Sequence, residues 1–367
     1  MPDVLIYADT VRSPEMRHEV PVAVPDPFIY AERDGSRYAF VGSMEVPRLQ
    51  ELDGLEAKPL EELNFDELIQ RGMSSYEVER ELALRACRNL GVGEAVTPRT
   101  FPLEIADYLR ANGVALEADG DLFDRRRRAK NETELAGIRK ALRAAEAAMD
   151  AIRQRLRSGN GTTCEDLRAE AMRVFSEQGM MVPDLVIVSH GPQTAVGHEP
   201  GHGPIAPGEA VIADLYPRDP ESGCYSDMTR TFCLGDPPEE LVEYHRLCRE
   251  ALERSRKAIR PGIRGAEVHR VVCDLFEEHG YPTQLTKTPG QVLEEGFYHS
   301  LGHGVGLEVH EEPGLGRTGV ELVAGDVLAV EPGLYRPGFG GCRLEDLVLV
   351  TEDGCEVLTD YPYDLAP

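Results

Sequence analysis

The stretch His-Ser-Leu-Gly-His-Gly-Val-Gly-Leu-Glu-Val-His-Glu-Glu-Pro, residues 299–313, sets three histidines among glycines and carboxylates. His303 lies between two glycines, a pattern typical of a backbone that closely approaches another segment while the ring projects freely. On either side of this stretch a carboxylate ends an apolar run: Asp214 follows residues 210–213, and Glu331 follows residues 327–330. We therefore expect strand ends and the histidine stretch to build one site.

Two further carboxylates belong to the same pattern, Asp227 in residues 226–231 and Glu345 in residues 343–346. Four carboxylates and one imidazole form an oxygen-rich set that suits Mn, Co, Fe, Zn or Mg ions. Two such ions about 3.5–4 Å apart need bridging carboxylates and can activate a water between them. A single Asp or Glu at a strand end is usually a solvated cap, so it is the joint order of the five residues that favours a metal centre.

An internal repeat organises the second part of the chain. We predict helix pairs at 131–157 with 163–178 and at 238–260 with 265–279, each pair followed by a strand-rich stretch. Two such α-α-β-β halves predict a sheet covered by helices on one side, with a cleft where the halves meet. Chance similarity between two amphipathic helix pairs is the alternative.

The first 125 residues predict a small α/β unit without a cluster of His, Asp and Glu. Strands are expected at 4–7, 28–30, 38–41 and 114–116, and helices at 75–90 and 102–112. The run Arg125–Arg128 marks its end. A solvated linker in an acidic protein is favoured for this run, and a nucleic-acid patch or targeting signal is the alternative.

Charge and composition exclude several classes of protein. The formal net charge of −26 disfavours nucleic acid and anionic membranes as partners. No apolar run approaches the ~18 residues of a transmembrane helix, and the first residues do not predict a secretory leader. The eight cysteines form no Cys-x-x-Cys pair, which favours free thiols in a reducing cytoplasm.

From about residue 130 to the end, these motifs resemble the pita-bread metallopeptidase family, M24, which contains methionine aminopeptidases, Xaa-Pro aminopeptidases, prolidases and creatinase. Residues 1–125 are more loosely similar to the N-terminal α/β domain of the creatinase and prolidase branch. The resemblance implies an α+β protein with that smaller domain, a linker at 126–130 and a pita-bread domain at 131–367 with pseudo-twofold halves.

The resemblance also implies how two divalent ions are held. The family's five metal ligands correspond by motif to Asp214, Asp227, His303, Glu331 and Glu345. Asp227 and Glu345 are then expected to bind both ions, Asp214 one ion, and His303 and Glu331 the other. The native metal is left open among Mn, Co and Zn.

The activity implied is that of a dinuclear-metal exopeptidase, an Xaa-Pro aminopeptidase or Xaa-Pro dipeptidase, in which a hydroxide bridging the ions attacks the scissile bond. Glu331 is expected to act as general base and acid. His198 and His310 are expected to bind substrate and hold the tetrahedral intermediate, and Arg343 to bind substrate. His202 and His299 are rival candidates for the role of His198. The two-domain branch is usually dimeric, so a homodimer is also expected.

One departure from the family lies beside the first ligand. Relatives usually have x-Gly after the first Asp and the second Asp eleven residues after the first, whereas here Leu215 and Tyr216 follow Asp214 and Asp227 comes 13 residues later. We predict a hairpin with a longer loop that leaves the ligands on their strands. The strictness of the proline preference therefore stays open. The alternative functions are a hydrolase of the same fold that acts on a non-proline or non-peptide substrate, such as metal-free amide hydrolysis of the creatinase kind, and a non-catalytic binding protein.

Overall fold

The structure, a computed structural model, describes residues 2–159, 161–182 and 185–367. The chain forms two compact units, Met1–Arg127 and Arg128–Pro367. Among the described residues, no helix combines the length and the apolar character needed to cross a membrane.

The first unit is a six-stranded sheet with helices. Its elements in chain order are β1 (Val4–Ala8), α1 (Pro14–Glu19), β2 (Phe28–Arg33), β3 (Ser36–Val41), α2 (Val46–Leu49), β4 (Leu55–Pro59), α3 (Phe65–Gln70), α4 (Ser75–Leu90), β5 (Glu94–Thr97), α5 (Leu103–Ala111), β6 (Ala115–Ala118) and α6 (Gly120–Arg128), with a 3₁₀ turn at Leu60–Leu63. The strand order is β4-β3-β2-β1-β5-β6. β1 and β3 run antiparallel to β2, and the other pairs are parallel.

The sequence explains why this sheet has a core on each face. Side chains alternate along a strand, so Leu5 packs into one apolar cluster while Val4 and Ile6 pack into another. Helix α4 begins where predicted because Ser74 and Glu77 form a capping box. It ends at Gly91, whose φ of 70° is readily adopted by glycine.

The arginine run Arg125–Arg128 differs from the solvated linker that we expected. It is the last turn of α6, and only Arg125 is exposed. Arg126 donates to Glu19 and Glu32, each at 2.8 Å. The expectation of a solvated segment is wrong because carboxylates distant in the sequence pair with these guanidinium groups.

The second unit contains the two predicted helix pairs. Its elements are α7 (Glu132–Ser158), α8 (Cys164–Glu177), β7 (Ile187–His190), β8 (Ala210–Leu215), β9 (Met228–Cys233), α9 (Glu239–Ala258), α10 (Gly265–Glu278), β10 (Gly302–Gly304), β11 (Glu311–Leu315), β12 (Val327–Val330), β13 (Gly333–Arg336), β14 (Gly340–Arg343), β15 (Asp346–Val350) and β16 (Cys355–Val357), with a 3₁₀ turn at Gly191–Ala195. The strands form a sheet β7-β8-β9, a sheet β11-β10-β12-β15-β16 and the hairpin β13-β14.

The helices of each half of this unit pack into an apolar core that includes residues of that half's own strands. Apolar residues of α7 and α8, such as Leu142 and Phe175, share a core with Val211 of β8. Leu247 and Phe276 of α9 and α10 share a second core with Leu328 of β12. The order of helix pair and strands therefore recurs, although the second half has more strands than the first.

Candidate metal centre

A cavity of about 660 Å³ in the second unit is lined by every residue that the sequence predicts for the site. These residues are His198, Asp214, Asp227, His303, His310, Glu331, Arg343 and Glu345. The other lining residues are Leu185, Ile187, Val196, Gly197, Tyr216, Tyr298, His299 and Val309. Acidic and imidazole groups therefore share one cavity with a partly apolar wall.

The first half of the unit supplies two aspartates from neighbouring strands. Asp214 lies near the end of β8, where it is opposite Thr229 of β9 and Ile187 of β7. Asp227 directly precedes β9 and is 4% exposed. The antiparallel pairing of β8 and β9 thus brings both carboxylates to one end of the small sheet.

The second half supplies a histidine and two glutamates. His303 lies in the middle of β10, opposite Ala329 of β12. Glu331 directly follows β12, and its main-chain N–H donates to the carbonyl of Leu301 at 2.8 Å. Glu345 lies between β14 and β15, and its main-chain N–H donates to the Thr229 carbonyl at 3.0 Å. That last bond joins the two halves beside the cavity.

The glycines around His303 are required by close backbone approach. A Cβ atom at Gly302 would lie 1.9 Å from the carbonyl oxygen of Ala329, and one at Gly304 would lie 2.6 Å from that of Glu312. Neither position has room for a side chain. The sequence pattern thus reflects the packing of β10 between its two neighbours.

The donor atoms suit a metal ion. One ligand atom from each of Asp227, His303 and Glu345 lies within 4.8 Å of the others. The His303 Nε2 atom is 3.8 Å from Asp227 Oδ2 and 3.8 Å from Glu331 Oε1. The Oδ1 atom of Asp227 is buried without a hydrogen-bond partner. A buried carboxylate oxygen is rarely left unpaired, so this donor set fits a divalent cation.

The pKa shifts of the cavity residues also favour a bound divalent cation. Burial raises the pKa of Asp227 well above its usual value, and repulsion from Glu345 adds to the effect. Burial likewise raises the pKa of Glu345 and brings the pKa of Glu331 to about 7. Burial lowers the pKa of His303 to about 3, which keeps its imidazole neutral. A divalent cation would relieve the repulsion and bind the neutral imidazole.

Arg343 lines the cavity but is also paired with one of the predicted ligands. Its Nη2 atom lies 2.6 Å from Asp214 Oδ2. Its Nη1 atom donates to the Tyr335 hydroxyl at 3.2 Å. The guanidinium is nearly buried, and burial opposes its charge while Tyr335 and Asp214 raise its pKa. Arg343 therefore fixes the orientation of Asp214.

The candidate substrate-facing histidines have different surroundings. His310 lies beside His303, with ring centroids 4.1 Å apart, and burial lowers its pKa. His198 is exposed at the cavity. Of its rivals, His299 also lines the cavity, whereas His202, with a 75% exposed side chain, is not among the lining residues.

Sequence reasoning missed the aromatic residues of the site. The His299 Nδ1–H donates to the Ser300 carbonyl at 2.7 Å, so its Nε2 accepts from the Tyr335 hydroxyl at 3.0 Å. Burial lowers the pKa of His299 to about 3. The Tyr298 hydroxyl donates to the Ala195 carbonyl at 2.9 Å. Tyr298 directly precedes His299 in the sequence, and Tyr335 lies four residues after Glu331. Neither position indicates from the sequence alone that the tyrosine belongs to the site.

Hydrogen bonds to Asp219 stabilise the longer loop after Asp214. Asp219 accepts from the main-chain N–H and the hydroxyl of Ser222, both at 2.8 Å, and from Lys140 of α7 at 2.8 Å. Tyr216 lies two residues beyond Asp214, on the same face, and it lines the cavity. The side chain at the position where relatives usually have glycine is therefore part of the cavity wall.

Comparisons with known proteins identify a family and relatives of this chain. Residues 136–352 match the family model for metallopeptidase family M24. The chain is 33% identical over 281 residues to the probable dipeptidase PepE of Mycobacterium tuberculosis, covering 75% of this chain and 70% of that protein. It is 30% identical over 284 residues to the Xaa-Pro dipeptidase of Pyrococcus horikoshii, covering 76% of this chain and 74% of that protein.

A solved structure shows the same fold. The X-Pro aminopeptidase from Thermotoga maritima matches with a TM-score of 0.81 at 22% sequence identity, covering 99% of this chain and 97% of that chain. At this identity the likeness concerns the fold alone. The predicted pita-bread fold with a smaller N-terminal α/β domain is confirmed.

Proposed function

Because the chain belongs to metallopeptidase family M24, and is therefore a hydrolase, we propose that it is an exopeptidase that cleaves Xaa-Pro bonds with two divalent ions. The observation that carries the proposal is the meeting of Asp227, His303 and Glu345, together with the unpaired buried oxygen of Asp227. The names of the Mycobacterium and Pyrococcus relatives support a peptide substrate.

Five residues would hold the ions. Asp227 and Glu345 would bridge both, Asp214 would bind one, and His303 with Glu331 would bind the other. This assignment is supported by the cavity that all five line and by the charge of four carboxylates, which offsets that of two divalent ions. The mixture of oxygen ligands and one imidazole suits Mn, Co or Zn.

Four side chains of the cavity have separate roles in the proposed hydrolysis. When bound, the ions supply an activated water and polarise the scissile carbonyl. Glu331 takes the proton of the attacking water and returns it to the leaving amine. His198 and His310 donate toward the oxygen on which negative charge develops. Arg343 holds Asp214 in place and presents its remaining surface to the substrate.

We also propose a cytoplasmic homodimer. All eight cysteines are free and seven of them are buried, which suits a reducing compartment. The dimer rests on analogy with two-domain members of the family. Light scattering at micromolar concentration measures it, and a monomeric mass would contradict it.

Hydrolysis of a peptide panel tests the activity. The panel contains Xaa-Pro dipeptides, Xaa-Pro-Xaa tripeptides and Met-Ala peptides, each assayed on metal-free protein with added Mn²⁺, Co²⁺ or Zn²⁺. We expect metal-dependent release of the residue before proline and little cleavage of Met-Ala. Preferential cleavage of Met-Ala would refute the Xaa-Pro assignment, and equal cleavage without metal would favour an amide hydrolase of the creatinase kind.

A further inference from the structure

Arg230 of β9 is a buried cation close to the cavity, with a side chain only 1% exposed. A guanidinium has five N–H donors, and here five protein oxygens lie within 3.0 Å of its nitrogens. They are the carbonyls of Thr229 (2.9 Å), Glu345 (2.6 Å), Tyr361 (2.9 Å) and Pro362 (3.0 Å), and Asp346 Oδ1 (2.9 Å). Every donor of Arg230 therefore has a partner.

Two of these acceptors belong to opposite halves of the metal centre. The Arg230 Nη1 atom bonds both the Thr229 carbonyl, in the first half, and the Glu345 carbonyl, in the second. The Thr229 carbonyl also accepts the Glu345 main-chain N–H at 3.0 Å. Asp227 lies two residues before Thr229 in the sequence. One guanidinium group thus fixes the separation of the backbones that carry Asp227 and Glu345.

The C-terminal segment completes this arrangement. Residues 361–363 supply two of the carbonyl acceptors, and the Tyr363 ring lies over the guanidinium at 4.5 Å from its centroid. The Tyr363 hydroxyl donates to Asp346 Oδ2 at 2.6 Å, and Arg256 pairs with the same carboxylate. Asp346 is fully buried, so both of its oxygens are held by these partners.

We propose that Arg230, Asp346 and residues 361–363 form a C-terminal latch that sets the spacing between the two bridging carboxylates. Arg230 is then a positioning residue, since it acts on the ions through Asp227 and Glu345. The inference rests on the proposed function in taking those two residues as bridging ligands. Lysine cannot replace Arg230, because its three donors cannot make all five of these bonds.

Cobalt binding to the full-length, metal-free protein tests the latch. The variants are Arg230→Lys and Tyr363→Phe, which keeps the ring but removes the hydroxyl that reaches Asp346. The matched control is Arg249→Lys, because Arg249 also lies over the Tyr363 ring, at 5.5 Å, but is exposed. Calorimetry measures each Co²⁺ affinity, and the visible absorption of Co²⁺ reports the ligand geometry.

We expect Arg230→Lys to bind the second Co²⁺ about 10- to 100-fold more weakly than wild type, with altered visible bands. Tyr363→Phe should show a smaller change in the same direction, and Arg249→Lys should match wild type. A folded Arg230→Lys with wild-type affinities and bands would overturn the latch. If Arg230→Lys fails to fold, Tyr363→Phe decides, and unchanged second-ion binding by that variant overturns it. Failure of wild type to bind two Co²⁺ ions would instead overturn the proposed function.

Discussion

The hydroxyl of Thr229 donates a hydrogen bond of 2.6 Å to the Oε2 atom of Glu345, and both residues are buried. The bond crosses from the first half of the second unit to the other half. Burial raises the pKa of Glu345, and this hydrogen bond opposes the shift because it favours the charged carboxylate. Thr229 therefore orients a proposed bridging ligand and favours its charged form.

Replacing Thr229 with valine preserves the shape of the side chain and removes this donor. We expect Thr229→Val to weaken metal binding about 10- to 100-fold, as loss of a group that orients a ligand typically does. Calorimetric titration with Mn²⁺ measures the change. Thr162→Val is the control, because it removes a buried hydroxyl that donates to Gly159 and lies outside the cavity lining. Equal affinities for the two variants would contradict the role of Thr229.

Glu331→Gln tests the assignment of the general base. Glutamine keeps the size and one coordinating oxygen but cannot accept the proton, so turnover should fall about 10²–10⁴-fold while much of the metal remains. Steady-state kinetics on an active Xaa-Pro peptide, with metal analysis of the same sample, measures both. Glu352→Gln changes an exposed carboxylate outside the cavity lining and should behave as wild type. Near-normal turnover by Glu331→Gln would give the base role to another residue.

His310→Ala should separate the reaction from metal binding. The imidazole of His310 is proposed to donate toward the developing oxyanion, so its loss should lower kcat about 10²–10³-fold with metal content unchanged. His202→Ala is the matched control, since His202 is exposed and is not a cavity-lining residue. A variant that lost metal in proportion to activity would identify His310 as a ligand.

Asp227→Asn should affect both ions together. The substitution removes one negative charge from the ligand proposed to touch both ions, so the two affinities should fall in parallel. Metal analysis after dialysis against a weak chelator measures the retained ions. Full retention of both would show that the alignment through the longer loop after Asp214 assigns the bridging role to the wrong residue.

His269, a buried histidine that is not a cavity-lining residue, predicts an acid-dependent loss of stability. Burial lowers the pKa of His269 to about 4, helped by Arg317 and Arg270, and its ring packs on Phe297 and lies 3.5 Å from the Cys273 thiol. The unfolded chain then binds more protons between about pH 4 and 6.5. The contribution of neutral, buried His269 to the free energy of unfolding is therefore fully present above about pH 6.5. It is lost progressively as the pH drops through this range.

His269→Phe removes this titration. Between pH 7 and pH 5, the free energy of unfolding should fall in both proteins. The fall should be smaller in the variant than in wild type, by on the order of 2 kcal/mol. Urea unfolding of both metal-free proteins at the two pH values measures the difference. Parallel losses for wild type and His269→Phe would show that His269 is already protonated in the folded protein or does not titrate.

Local signals explain how much of the fold was predictable. Helices α7 and α8 begin at capping boxes formed by Asn131 with Glu134 and by Thr163 with Asp166, and such pairs are visible in the sequence. The glycines around His303 mark close backbone packing, also from local pattern. Predicted and observed helix bounds therefore agree within about two residues.

Contacts between residues distant in the sequence explain why the sequence did not predict the pairing of the arginine run or the presence of Tyr335 in the site. Arg126 pairs with Glu32, 94 positions away, and Arg128 pairs with Asp326, 198 positions away, so the arginine run gave no sign of its pairing. Tyr335 enters the site because the hairpin β13-β14 places it beside Arg343. Such contacts follow from tertiary packing, which a single sequence without relatives does not reveal.

We propose that Xaa-Pro cleavage requires two divalent ions, held by the five predicted ligands. The most direct test is titration of metal-free protein with Mn²⁺ or Co²⁺ while bound metal and hydrolysis of an Xaa-Pro peptide are measured on the same samples. We predict saturation at two ions per chain, with no activity in the metal-free protein and full activity at saturation. Xaa-Pro hydrolysis that is complete without a divalent ion, or a folded protein that binds none, would show that the reaction does not depend on this metal centre.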